Sequence, residues 1–196
     1  MTSTEPRQLL SREERQASIL RGAAEAFARG GYAGTSMEDV AAASGITKLI
    51  VYRHFESKEE LYRAVLEQVS SRMGEELLRA LSAKDRRGFH VRAILTVARE
   101  LPDGFRLLWV HAAREPQFED YAAEYHRKAT DLALSLIGDS IADETLRRWA
   151  GETIVAHLFA GVLHWLDMGD PARDEEFVDV ATRGVRAMYL AWARSS

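Results

Sequence analysis

The chain has 196 residues, 46% hydrophobic and 29% charged, enough for one large or two small packed domains and unlike a disordered composition. It contains no cysteine, which excludes disulfides, thiol catalysis and cysteine-ligated zinc and fits a reducing compartment. The net charge of −4 is uneven: residues 1–65 balance nine Lys/Arg against nine Asp/Glu, and residues 66–196 hold the other 17 and 21.

The N-terminal stretch MTSTEPRQLLSREERQ is polar and lacks a signal-peptide core. The longest apolar run, TIVAHLFAGVLHWL, is too short to span a bilayer. A cytoplasmic protein with no membrane partner is expected. Only four prolines occur, and apolar residues recur at helical spacing without strand-like alternation, so the chain reads as all-α with about nine helices.

The first helix is expected from about Ser11 to Arg29. Ser11 and Glu14 form a capping box, and Ile19, Ala23 and Phe27 a core stripe. Gly30 and Gly31 break it. TSMEDVAAA opens the second helix, with Thr35 as N-cap and Glu38 as capping-box partner, and Ser44-Gly45 closes it. Thr47 starts a third helix reaching about Phe55. Ser57 and Glu60 cap a fourth, to about Leu81, with Leu61, Val65, Leu66, Val69 and Met73 inward. Two short helices joined at a glycine turn and held by a longer first helix make a helix-turn-helix unit, with Val40, Ala41, Ile46 and Val51 as its internal contacts. Longer helices follow at about 86–100, 103–114, 116–138, 143–168 and 174–194. The expected division is a three-helix DNA-binding domain over 1–60 and a larger helical domain for effector binding and dimerisation over 61–196, without a flexible linker.

GITKLIVYRHFESKEELY, residues 45–62, mixes apolar, basic and aromatic residues. Within 47–58, Lys48, Arg53 and Lys58 oppose only Glu56, and His54 stands beside them. A local basic face suits phosphate contact whatever the whole chain sums to. In a helix-turn-helix the second helix enters the major groove by its N-terminal residues. That places Lys48, Leu49 and Ile50 at base edges and Thr47 at a phosphate, with Tyr52, Arg53, His54 and Lys58 in reach of the backbone.

Residues 15–65 resemble the N-terminal domain of the TetR family of bacterial transcriptional regulators. TSMEDVA, SGITK and YRHFESKEELY stand in the family's order and spacing. The resemblance implies phosphate contacts from Thr35, Ser44, Thr47, Tyr52, Arg53, His54 and Lys58 and base contacts near Lys48, Leu49 and Ile50. Bulky Leu49 and Ile50 depart from the small or polar residues common there. They suit thymine methyls rather than hydrogen-bonded base edges. The resemblance also implies a homodimer on a palindromic double-stranded operator, a repressor released by an unidentified small molecule. A dimeric regulator without an effector is the alternative.

For the effector, residues with a bulky body or a polar tip are candidates: Phe105, Trp109, His111, Phe118, Tyr121, Tyr125, Trp149 and His157. For the dimer, the last two helices carry Gly151, Ala156, Ala160, Gly161, His164, Val185, Met188 and Trp192, small residues permitting close approach beside large apolar ones. His157 and His164 share a helix face but lack further ligands at metal spacing, so no metal and no cofactor are expected. No nucleophile motif or phosphate loop supports an enzyme.

Overall fold

The computed structural model describes residues 11–84 and 87–193. Those residues form nine α-helices and no strand, and the chain divides into two compact units between Val65 and Leu66. That division falls inside one continuous helix, α4 (Lys58–Leu81).

The first unit contains α1 (Arg12–Gly34), α2 (Met37–Ala43), α3 (Lys48–Tyr52) and the start of α4. Ser11 and Glu14 make the expected capping box at α1. The break near its end is Gly31, whose φ of 69° is left-handed, and a further turn runs to Gly34. The cap of α2 lies one residue later than expected. Ser36 is the N-cap and Asp39 its partner, because Thr35 is only 3% exposed and turned inward. Its hydroxyl lies 2.7 Å from the Gly31 carbonyl and 3.1 Å from that of Ala26, donating where the kink leaves acceptors open. α3 ends at Tyr52 rather than Phe55. At α4, Ser57 Oγ accepts from Glu60 N–H, but the Glu60 carboxylate returns to Glu56 N–H, one residue before the expected partner.

Ile19, Ala23, Phe27, Val40, Val51 and Leu61 are fully buried here, and the Tyr62 ring meets Phe27 edge-on at 4.9 Å. Ile46 is only half-buried. Gly22 lets the turn after α2 press on α1: a Cβ there would stand 2.2 Å from Ser44 Oγ and 2.8 Å from its backbone nitrogen.

The second unit holds the remainder of α4, α5 (Phe89–Glu100), α6 (Pro102–Arg106), α7 (Glu119–Ile137), α8 (Glu144–Met168) and α9 (Asp174–Ala193). The expected starting point at 86 and end at 194 lie outside the described residues. The single helix expected over 103–114 is instead α6, a π-helical turn (Leu107–His111) and a 3₁₀ turn (Ala112–Arg114). Bidentate pairs fasten the end of α5. Arg72 reaches Glu100 at 2.8 and 2.9 Å, and Arg99 reaches Asp174 at 2.8 and 3.0 Å. Trp165 Nε1 also donates to Asp174 at 2.6 Å. Glu76 is a carboxylate only 1% exposed, and hydrogen bonds from Arg79 and then Arg72 hold it below the usual carboxylate range.

Candidate nucleic-acid interface and ligand cavity

Two sites emerge, one in each unit. In the first, α3 carries two large side chains with no place in the core: Leu49 is 63% exposed and Tyr52 44%. An isolated exposed leucine needs no explanation, but here basic groups surround it. Lys48 lies beside it with its ammonium 5.6 Å from the Tyr52 ring centroid, while Arg53 is exposed and His54 half-buried. Lys48 is ion-paired with Glu38 of α2, and this pair holds the Glu38 carboxyl below its usual range. Both partners are exposed, so the pair contributes little to stability. Thr47 is the N-cap of α3, and its hydroxyl makes no capping bond. Ile50 is half-buried.

Three of the expected contact residues are occupied by the fold. Thr35 is turned onto α1, as above. Ser44 Oγ is buried against Gly22. The Lys58 ammonium donates to the carbonyls of Tyr32 at 2.8 Å and Thr35 at 3.0 Å, and stands 4.5 Å from the Tyr32 ring centroid. Lys58 thus fastens the end of α1 to the start of α4. The remaining group — Thr47, Lys48, Leu49, Ile50, Tyr52, Arg53 and His54 — falls in one short run interrupted only by buried Val51.

In the second unit a cavity of about 670 Å³ lies among α4, α5, α7, α8 and α9. That is within the roughly 300–1,000 Å³ range of small-molecule sites. Of the aromatic and histidine candidates, only Tyr121 and Tyr125 line it. Tyr121 Oη is hydrogen-bonded to Ser70 Oγ at 2.8 Å, and burial raises the pKa of both phenols. Phe105 and Phe118 are ordinary core. Trp109 lies behind the wall, stacked on Phe159 at 3.6 Å and on His126 at 3.9 Å, and Phe159 is the ring that meets the cavity. His111 closes the π turn, and Trp149 and His157 are exposed on α8, so none of the three lines the cavity.

The interface candidates also divide. Gly151 is buried against Leu134, and Val185 is buried and lines the cavity, so both are committed within the chain. Ala156, Ala160 and His164 are exposed, and a Cβ on Gly161 would meet open space. Leu146, Trp149 and Met168 on α8 and Val180 and Leu190 on α9 are large apolar residues left exposed. Trp192 meets Trp149 edge-on at 4.9 Å, and Met188 is half-buried.

Residues that sequence reasoning misses include Ser70, Met73, Gly74 and Leu77 on α4 and His90 and Thr182 elsewhere on the wall. The α4 set recurs at helical spacing and shares Met73 with the core stripe. A helix face of small and apolar residues without charge is the available signal.

Comparison with known proteins fits this geometry. The family described as bacterial regulatory proteins, tetR family, matches over residues 19–65. The transcriptional activator FasR of Mycolicibacterium smegmatis is 28% identical over 176 residues, covering 87% of this chain and 80% of its own. The transcriptional repressor Rv3405c of Mycobacterium tuberculosis is 38% identical over 98 residues, 48% of this chain and 50% of its own. Among solved structures, AibR in complex with isovaleryl coenzyme A and operator DNA superposes with a TM-score of 0.65 at 22% identity, covering 86% of this chain and 96% of that one. Among the described residues no helix is long and apolar enough to cross a membrane.

Proposed function

We propose, for a chain that belongs to the TetR family of bacterial regulatory proteins and is a DNA-binding transcription regulator rather than an enzyme, that α3 reads a palindromic operator and that a small molecule in the cavity releases it. The observation that carries this reading is the exposure of Leu49 and Tyr52 on a five-residue helix edged by Lys48 and Arg53. Leu49 reaches a thymine methyl, Lys48 a base edge, and Thr47, Tyr52, Arg53 and His54 the phosphates. Residues 1–60 act as the DNA-binding domain, and 61–196 as the effector and dimerisation domain.

One recognition helix reads too few base pairs for specificity, so the working form is a homodimer. Its interface is the exposed apolar face of α8 and α9, where Ala156, Ala160 and Gly161 permit close helix approach. Reading adjacent half-sites then requires two α3 helices roughly 34–36 Å apart, one turn of DNA. The cavity supports an apolar or amphipathic effector, and AibR, solved with both an acyl coenzyme A and its operator, is a protein of this fold that holds both kinds of ligand. Repression is the sign we propose, acting in the cytoplasm.

The test is a pair of titrations: operator affinity with and without effector, and effector affinity with and without operator. Linkage requires the same factor in both. A tight effector whose affinity ignores operator DNA would sink the switching mechanism. Lys48→Ala and Tyr52→Ala with full operator affinity would remove α3 from the interface.

A further inference from the structure

The polar groups on the cavity wall are unequally satisfied. On α4 and α7, Ser70 bonds Tyr121 and Lys128 pairs with Glu124 at 2.6 Å. On α9, Tyr189 Oη donates to Ser140 Oγ at 2.7 Å, but two other groups from α5 and α9 are not satisfied. Both ring nitrogens of His90 and the Thr182 hydroxyl are buried without a hydrogen-bond partner. Arg186, one helical turn beyond Thr182, also lines the cavity and makes no ion pair with the described residues. Glu124 is the single carboxylate on the wall among those residues, and Lys128 already neutralises it. Arg186 therefore sets the charge of the cavity.

Leu132, Leu136, Ile154 and Leu158, from α7 and α8, supply a hydrocarbon surface in the same cavity. A buried polar group without a partner is costly, and a ligand that supplies the partner removes that cost. We propose that the cavity takes an amphipathic carboxylate, its anionic head held by Arg186, Thr182 and His90 and its apolar body laid against α7 and α8. This deepens, and rests on, the reading of the cavity as the effector site.

The donors match. A carboxylate only accepts hydrogen bonds, and the guanidinium and the Thr182 hydroxyl both donate. Burial lowers the pKa of His90 and keeps it neutral, so it offers one N–H. A cationic head would be repelled by Arg186. A wholly apolar molecule would leave His90 and the Thr182 hydroxyl unsatisfied, with Arg186, which is exposed, left to solvent.

The test uses the full-length protein with Nile red as a neutral reporter of the cavity. Decanoate, methyl decanoate and decylamine are titrated against it. Decanoate is expected to displace the dye at least about tenfold more tightly than the ester, with the amine weakest, as for a hydrogen bond to a charged group. Arg186→Met should weaken decanoate on the order of tenfold while leaving the ester within about twofold, and Thr182→Val should give a smaller loss of the same kind. Equal affinity for acid and ester, or dye that decanoate does not displace, overturns the anionic head and leaves the cavity reading intact. Failure of Nile red itself to bind sinks both. Arg186→Met that dissociates a dimer with decanoate affinity unchanged assigns Arg186 to the interface instead, and also overturns the proposal.

Discussion

The two units fill their interiors differently. In the first, Phe27, Val40, Val51 and Leu61 close on one another, and Gly22 stands where even a methyl group would collide with Ser44. In the second, the core surrounds an open cavity, and Gly74 lines it at a point where an added Cβ would meet nothing within 4 Å. A unit that presents a surface needs a rigid scaffold behind it, whereas a unit that receives a ligand completes its packing only when the ligand arrives.

The sharpest test of that contrast is Phe27→Ala. It should cost about 3–5 kcal/mol, as for a fully packed aromatic, and abolish operator binding; thermal and urea unfolding measure it. Glu76→Gln should cost roughly 1–3 kcal/mol at neutral pH by leaving Arg72 and Arg79 short of an acceptor. Its pH dependence has a definite sign. The folded carboxyl titrates below the unfolded one, so its contribution is complete above about 4.3, the ordinary glutamate value, and fades as the pH falls through the folded value. The gap in melting temperature between wild type and Glu76→Gln should therefore narrow as the pH falls below about 4.3 and through the lower folded value. A constant gap would mean the ion pairs contribute nothing.

Gly161→Arg should split the proposed dimer in light scattering by placing charge on the exposed apolar face of α8; an intact dimer would place the interface elsewhere. The smallest effect is the most pointed. One substitution, glycine to alanine, should change sign between the units. Gly22→Ala should destabilise by about 1–2 kcal/mol through the clash with Ser44, and Gly74→Ala should stabilise by roughly 0.5–1 kcal/mol because helix propensity improves and nothing is struck. The same sign at both positions would erase the contrast.

The two sites are unequally legible in the sequence for a related reason. The proposed α3 surface comes from one run, Thr47 to His54, so its mixture of basic and apolar residues and the family's order of motifs mark it as a candidate in the sequence. The cavity is assembled from α4, α5, α7, α8 and α9, and no local pattern marks which face of each helix looks inward. Tyr121 and Tyr125 are legible because two hydroxyl-tipped rings share a face of α7. Phe105 and Phe118 stand out by bulk, which predicts burial but not the presence of empty space beside them. Gly151 and Gly161 look alike in sequence, yet only one faces a neighbouring helix of its own chain. Thr35 and Ser36 offer overlapping capping signals, and the open carbonyls at the end of α1 decide between them. Lys58 carries the charge of a phosphate ligand, but three-dimensional proximity to Tyr32 gives it a structural task that charge counting does not reveal.

The Lys48–Glu38 pair has a consequence for how DNA would be chosen. On the proposed reading, association is an exchange: the ammonium leaves one anionic partner for another, and Glu38 is left facing a polyanion. Every sequence meets that repulsion, but only one offering Lys48 a base-edge acceptor offsets it. Glu38 then acts as a discriminator, suppressing indiscriminate sliding contacts more than the cognate complex, and its neutralisation would trade selectivity for grip.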